Sequence, residues 1–337
     1  GLINDTYLVA TSGDIPDYVL QRINHHVFAD VDGMQRNIEA VTAHIRRKLE
    51  EAGEKDIHRK VLEFIPLKDS PKTYLHDGDN YWRMSRYISG SETMHEVTPA
   101  TARCAGRAFG QFQRMLADID APLTETIPDF HNMEWRLRQL REAVSADAVG
   151  RVAEVKDILD EIERRAEYMC GPERLCREGK LPKRICHCDT KVSNMLFDKS
   201  GEVLCVIDLD TVMPSLVFSD YGDFLRTGAC TAPEDCADPS RIDFDMDIFR
   251  AFTEGYLSEA IGFLSEAEIA WLADSVALFP YMQAVRFLTD YINGDTYYKI
   301  KYPGHNLVRT RAQMRLLERV EELMPEIRAT IASLTNA

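Results

Sequence analysis

A small antiparallel sheet carrying one helix, followed by a larger and mainly helical part, is the α+β fold that this sequence predicts. Three observations carry that expectation. Strand-like alternation is concentrated before residue 88, helical periodicity dominates from residue 98 onward, and the Ile88-Ser89-Gly90-Ser91 stretch separates the two. The expected organisation is therefore a sheet domain over 1–88 and a mainly helical domain over 89–337.

Residues 7–10 and 17–23 read as strands around the Thr11-Ser12-Gly13-Asp14 turn. Residues 33–51 place Ile38, Val41, Ile45 and Leu49 on one helical face, and Gly53 is a natural stop. Two further strands are expected at 61–66 and 81–88. Thr98, with Pro99 after it, marks the start of a helix running to about Ala117. Amphipathic helices are predicted over 132–144 and 151–169, strands over 184–187, 194–197 and 203–207, and helices over 245–260, 267–292 and 306–334. No internal repeat or low-complexity linker interrupts the chain.

Composition narrows the partners. With 40 basic and 55 acidic residues the chain carries a formal charge of −15. That charge opposes nucleic acid and anionic membranes. A polyanionic substrate then needs a local cationic pocket or a metal ion. No apolar run is long enough to span a bilayer and no signal peptide opens the sequence, so a cytoplasmic protein is expected. Gly1 stands where a methionine start would be, which points to a missing upstream segment that includes a first strand. The eight cysteines are irregularly spaced. Cys186 and Cys188 around His187, with Cys170 and Cys176 upstream, lack the C-x2-C geometry of a zinc knuckle, and unpaired thiols are the favoured reading.

The chemistry lies in residues 187–210, HCDTKVSNMLFDKSGEVLCVIDLD. An acid, Asp189, is followed five positions on by an amide, Asn194; a hairpin turning at Gly201 then leads to a second acid, Asp208, at the end of an apolar strand. Folding that hairpin brings Asn194 near Asp208 with Asp189 at the mouth of the loop. Such a set supplies hard oxygen ligands for Mg2+ and leaves one carboxylate over as a base.

The pattern H-x-D-x4-N followed by Val-Ile-Asp resembles the protein-kinase-like superfamily, in particular its aminoglycoside and choline phosphotransferase branch, and implies a two-lobe kinase-like fold. On that resemblance Asp189 is the catalytic base, Asn194 and Asp208 are the magnesium ligands, and His187 is a structural loop residue. Lys191 stands near the transferred phosphoryl group. Asp220, in Ser219-Asp220-Tyr221-Gly222-Asp223, is either a structural acid or an N-cap of the following helix. ATP and Mg2+ are the implied cofactors. Val19-Leu20-Gln21-Arg22-Ile23 resembles the strand that carries the phosphate-binding lysine, with Arg22 in its place, Glu39 as the acid orienting it and Gln21 facing the other way. Tyr87 belongs to the strand entering the hinge, where backbone groups read adenine.

A closer likeness bears on the acceptor. ICHCDTKVSNMLF at 185–197, VIDLDTVMP at 206–214, AVRFLTDYINGDTYYKIKY at 284–302 and the NDTY opening at 4–7 resemble the bacterial N-acetylhexosamine 1-kinase family. That resemblance implies phosphorylation of the anomeric hydroxyl of N-acetylglucosamine or N-acetylgalactosamine. Residues 281–302 are rich in Tyr, Asn, Asp and Arg, which sugars require as fixed hydrogen-bond partners and aromatic faces. Asp210, Arg286, Asp290 and Tyr297 are the candidate acceptor residues. Two rivals stand beside this reading: the same chemistry on choline, homoserine or an aminoglycoside, and a catalytically inactive nucleotide-binding protein, for which Arg22 in place of lysine is the argument.

Overall fold

The alternating residues near the amino terminus pair as expected. In a computed structural model describing residues 3–335, β1 (Asp5–Val9) and β2 (Tyr18–Ile23) form an antiparallel ladder, with Thr6 opposite Gln21 and Asp5 opposite Arg22. β3 (Tyr74–His76) and β4 (Tyr81–Arg86) complete a sheet of order β1-β2-β4-β3. The segment 61–66, expected as a strand, makes only a bridge between Phe64 and Ser85, flanked by bonds from Ile65 N–H to Met84 and from Arg86 N–H to Glu63. Pro66 has no N–H to extend that ladder, and β3 occupies the rest of the same edge of β4.

Helix α1 (Val31–Glu51) crosses between β2 and β3, started by Asp30, whose carboxylate accepts from Gly33 N–H. Its apolar face, Met34, Ile38, Val41 and Ile45, packs on Ile23 and Phe28 and also on Phe112, Leu116, Leu209 and Val212 from beyond residue 98. Asn37 of α1 donates to the carbonyls of Thr124 (2.7 Å) and Val212 (2.9 Å). The chain crosses between the two parts after Tyr87, and Glu92 pairs both ways with Phe197.

The second part is built on α2 (Pro99–Leu116), capped by Thr98, and α7 (Met246–Ala260). These two helices touch backbone to backbone: a Cβ on Gly106 would lie 2.1 Å from the Phe252 carbonyl oxygen, and one on Gly255 would lie 2.1 Å from that of Arg103. Around them pack α3 (Met133–Ala146), α4 (Lys156–Met169), α5 (Gly171–Arg177), α6 (Phe218–Gly228), α8 (Glu266–Ile292) and α9 (His305–Thr335). The helix expected over 151–169 is interrupted: residues 152–154 form a 3-10 turn and α4 begins at Lys156. Short strands carry the site: β5 (Arg184–Cys186) pairs with β8 (Met213–Ser215), and β6 (Met195–Phe197) with β7 (Val203–Val206). Among the described residues no helix is long and apolar enough to cross a membrane.

Candidate active site

The loop between β5 and β6 is held from several sides. His187 is fully buried; its Nδ1 accepts from Asp189 N–H (3.3 Å), which leaves Nε2 to donate to the Ile207 carbonyl (2.8 Å). Asp220, in the first turn of α6, does not cap its own helix. Its carboxylate accepts instead from His187 N–H (3.0 Å), Cys188 N–H (2.8 Å) and Gln113 Nε2 (2.8 Å). Burial pushes that carboxyl up, and the N–H donors pull the other way. Gln113 is fixed in turn by the Tyr256 hydroxyl (2.6 Å), so the close α2–α7 contact reaches the loop through one amide. Thr190 N–H donates to Asp223 (3.1 Å) and Thr211 Oγ1 to the His187 carbonyl (2.7 Å).

What this clamp presents is Asp189, half-buried, with Oδ2 accepting from Lys191 Nζ (2.8 Å) and Asn194 Nδ2 (3.0 Å). Burial alone would lower the Lys191 pKa, but the Asp189 charge and hydrogen bond, followed by Asp208 and Asp223, raise it. Lys191 therefore stays a cation beside the candidate base.

The β6–β7 hairpin does what its turn predicts. Met195 pairs with Val206, and Ile207 N–H reaches the Asn194 carbonyl (2.9 Å), so Asp208 leaves the hairpin just beyond the point where Asn194 enters it. Asp208 adopts a left-handed backbone, φ 59°, and is exposed. Desolvation, followed by the negative charges of Asp210 and Asp189, pushes its carboxyl up. Asn194 spends its Nδ2 on Asp189, leaving Oδ1 for a ligand. An amide oxygen and a carboxylate with no competing hydrogen bond among the described residues are donors that fit a magnesium ion.

The model of the phosphotransferase enzyme family matches residues 1–261 of this chain. The chain belongs to that family. The phosphotransferase also shares its fold with solved structures of low identity. An aminoglycoside phosphotransferase from Alicyclobacillus acidocaldarius subsp. acidocaldarius superposes with a TM-score of 0.64 at 16% identity, covering 98% of this chain and 93% of the other. A choline/ethanolamine kinase family protein from Mesorhizobium loti gives 0.53 at 16% identity, covering 99% and 93%. A spectinomycin phosphotransferase, solved with ADP and spectinomycin, gives 0.53 at 13%, covering 96% and 90%. The fold is thus the two-lobe, kinase-like α+β arrangement, and the family supports an ATP-dependent kinase.

On the sheet side the phosphotransferase departs from the residue assignments expected above. Arg22 lies on the outer face of β2, with 46% of its side chain exposed, and pairs with Asp5 on β1. Glu39 accepts from Thr73 Oγ1 instead of orienting Arg22. Strand alternation is the reason: Gln21, not Arg22, shares the inner face with its cross-strand partner Arg83, whose Nε donates to Gln21 Oε1 (3.0 Å). Asp210 is also committed. It is 2% exposed, lies 2.6 Å from Arg83 Nη2 and accepts from Asn4 Nδ2 (2.6 Å), so it faces the sheet and not an acceptor. Tyr87 sits half-buried at the crossover, its N–H bonded to the Asp17 carbonyl (2.9 Å).

The expected acceptor residues divide. Asp290 is a scaffold: its two oxygens accept from the N–H groups of Thr296, Tyr297 and Tyr298 and from Asn306 Nδ2, which ties down the loop after α8. Tyr297 is 65% exposed and meets Tyr298 edge-on at 4.8 Å. Arg286 projects from α8 over the rings of Phe130 (5.0 Å) and Tyr298 (5.8 Å). Phe130 in turn packs on Cys186, Cys188 and Met213, beside the loop that carries Asp189. Arg136 is nearby, lowered to about 10 by burial and then by Arg286. His131 is held well below its usual pKa by burial and by the charges of Arg286, Arg136 and Arg226. Phe130, His131, Arg136 and Arg83 were not singled out from sequence. The aromatic-basic run at 130–138 and an arginine on the inner face of a strand were the signals available.

Proposed function

We propose that the phosphotransferase moves the γ-phosphoryl group of ATP to the anomeric hydroxyl of an N-acetylhexosamine such as N-acetylglucosamine or N-acetylgalactosamine. The observation that carries the phosphoryl-transfer half is the Asp189 carboxylate. It is fixed by Lys191 and Asn194, and Asp208 follows directly on Ile207, whose N–H is bonded to the Asn194 carbonyl at the end of the hairpin. Asp189 orients the acceptor hydroxyl and takes its proton as the new O–P bond forms and the bond to the β–γ bridging oxygen breaks, releasing ADP. Asn194 and Asp208 would hold Mg2+, which when bound offsets charge on the phosphates. Lys191 steadies the moving group.

For the acceptor, support comes from the flank behind the loop. Arg286, Arg136 and a neutral His131 among aromatic rings make a surface that repels cations, whereas a neutral sugar ring stacks on it and hydrogen-bonds to it. The test incubates the protein with ATP, Mg2+ and, separately, N-acetylhexosamines, amino alcohols and aminoglycosides, and reads the products by phosphorus NMR. A sugar 1-phosphate is expected. Phosphorylated amino alcohol or aminoglycoside without the sugar product would overturn the acceptor while leaving the chemistry. No turnover on any of them would favour the nucleotide-binding rival.

A further inference from the structure

A triphosphate must enter a cleft where Asp189, Asp208 and Asp210 already converge, so the sheet above has to supply fixed positive charge. Arg22 cannot do so, because it sits on the far face of β2 and is bound to Asp5. Arg83 sits on the correct face. It is 3% exposed, its guanidinium lies against the Phe64 ring at 5.3 Å, and Gln21 holds its Nε.

Two details mark this arginine as unfinished. Its Nη1 has no hydrogen-bond partner among the described residues. The 2.6 Å approach of Nη2 to Asp210 Oδ1 is close but not aligned as a hydrogen bond, so that Oδ1 also lacks one. Buried guanidinium N–H groups seldom go unpaired without a ligand to receive them. Arginine has five N–H donors, and Gln21 and Asp210 together leave enough of them to fork onto a phosphate. What covers the pair is Asn4, whose Nδ2 donates to Asp210 and whose Oδ1 accepts from Asn24 N–H (2.9 Å). That contact joins Asn4 to Asp210 and not to the guanidinium, so a phosphate that reaches Arg83 takes no hydrogen bond away from it.

Resting on the ATP-dependent reading above, we propose that Arg83, brought in by β4, is the sheet-side residue that binds the phosphates of the nucleotide. Asp210 and Gln21 are positioning residues that aim it. A role usually carried by β2 thus moves one strand across the sheet, with its orienting acid supplied from beside the metal ligand and not from α1.

The test measures equilibrium binding of MgATP and of AMP to the full chain. Arg83→Gln alone strands the Asp210 charge in a buried place and invites misfolding, so the variant used is Arg83→Gln with Asp210→Asn, which leaves two amides. MgATP binding should weaken about tenfold or more, the worth of a charged hydrogen bond, with AMP within about twofold. Arg22→Met should bind both as the parent does. Asn4→Ala, which uncovers Arg83, should bind MgATP at least as tightly as the parent. Unchanged MgATP affinity in the double variant overturns the proposal. So does an equal loss of MgATP and AMP, a loss in Arg22→Met, or a loss in Asn4→Ala as large as that of the double variant. A parent chain that binds neither nucleotide overturns the kinase reading itself, and this proposal with it.

Discussion

Residues 187–194 are held by side chains from α2 and α6 and from the segments that flank Asp208, whereas residues 5–23 take their positions from strand pairing. In the loop His187, Cys188, Asp189, Thr190, Lys191 and Asn194 each have their own dedicated contact, so their place in the sequence is also their role. In the strand a residue's role depends on which face it occupies, and one step along the chain reverses that face. Side chains in the first region should be intolerant of change, and those on the outer face of the second should be nearly free.

The largest effect is expected at the centre of the loop. Asp189→Asn removes the proposed proton acceptor but keeps a hydrogen-bonding group of the same size. Turnover should fall about a thousandfold while MgATP affinity is retained, measured by coupled ADP release and by equilibrium binding. Full turnover would place the base elsewhere. Next comes the clamp itself. Asp220→Ala strands the N–H donors of His187, Cys188 and Gln113 in the interior, and urea unfolding should show a loss of about 4 kcal/mol.

A third test compares two enclosed carboxylates within the helical part. Glu173 in α5 accepts one backbone N–H, from Met133, and its other oxygen has no partner among the described residues. Burial pushes its pKa from 4.5 up to about 7. The folded state therefore holds a proton that the unfolded chain has released. The stability present below pH 4.5 is lost as pH rises toward 7, by about 3 kcal/mol. Glu173→Gln should match the parent at the acid end of that window and exceed it at pH 8, in melts taken across the range. The smallest effect is at the exposed pair: Arg22→Met should cost less than about 1 kcal/mol in the same melts. A larger loss would mean that the outer face of β2 is covered.

The same contrast accounts for what could be read in advance. The helix at Thr98 and the long helices α8 and α9 were legible from caps and periodicity, because those signals are local. The spacing of Asp189, Asn194 and Asp208 was legible because a short loop and a tight hairpin leave few ways to arrange them. β3 and β8 are three residues each, too short to show a period, and the apolar run at 61–66 looked more like a strand than either. Arg22 was misplaced because alternation gives a strand's two faces but not which of them meets the cleft. Cross-strand register decides that, and Gln21 opposite Arg83 is a fact about two segments at once. Asp290 and Asp210 look in sequence like free sugar ligands, and only their hydrogen-bond partners show that both are already committed.

Asn37 and the apolar side chains around it join α1 to Leu209, Val212, Phe112 and Leu116 across the point where the chain changes from sheet to helices. The seam of greasy contacts therefore lies to one side of the covalent crossover. Heat should melt the molecule in one step, and added MgATP should protect the whole chain from proteolysis, not residues 1–88 alone.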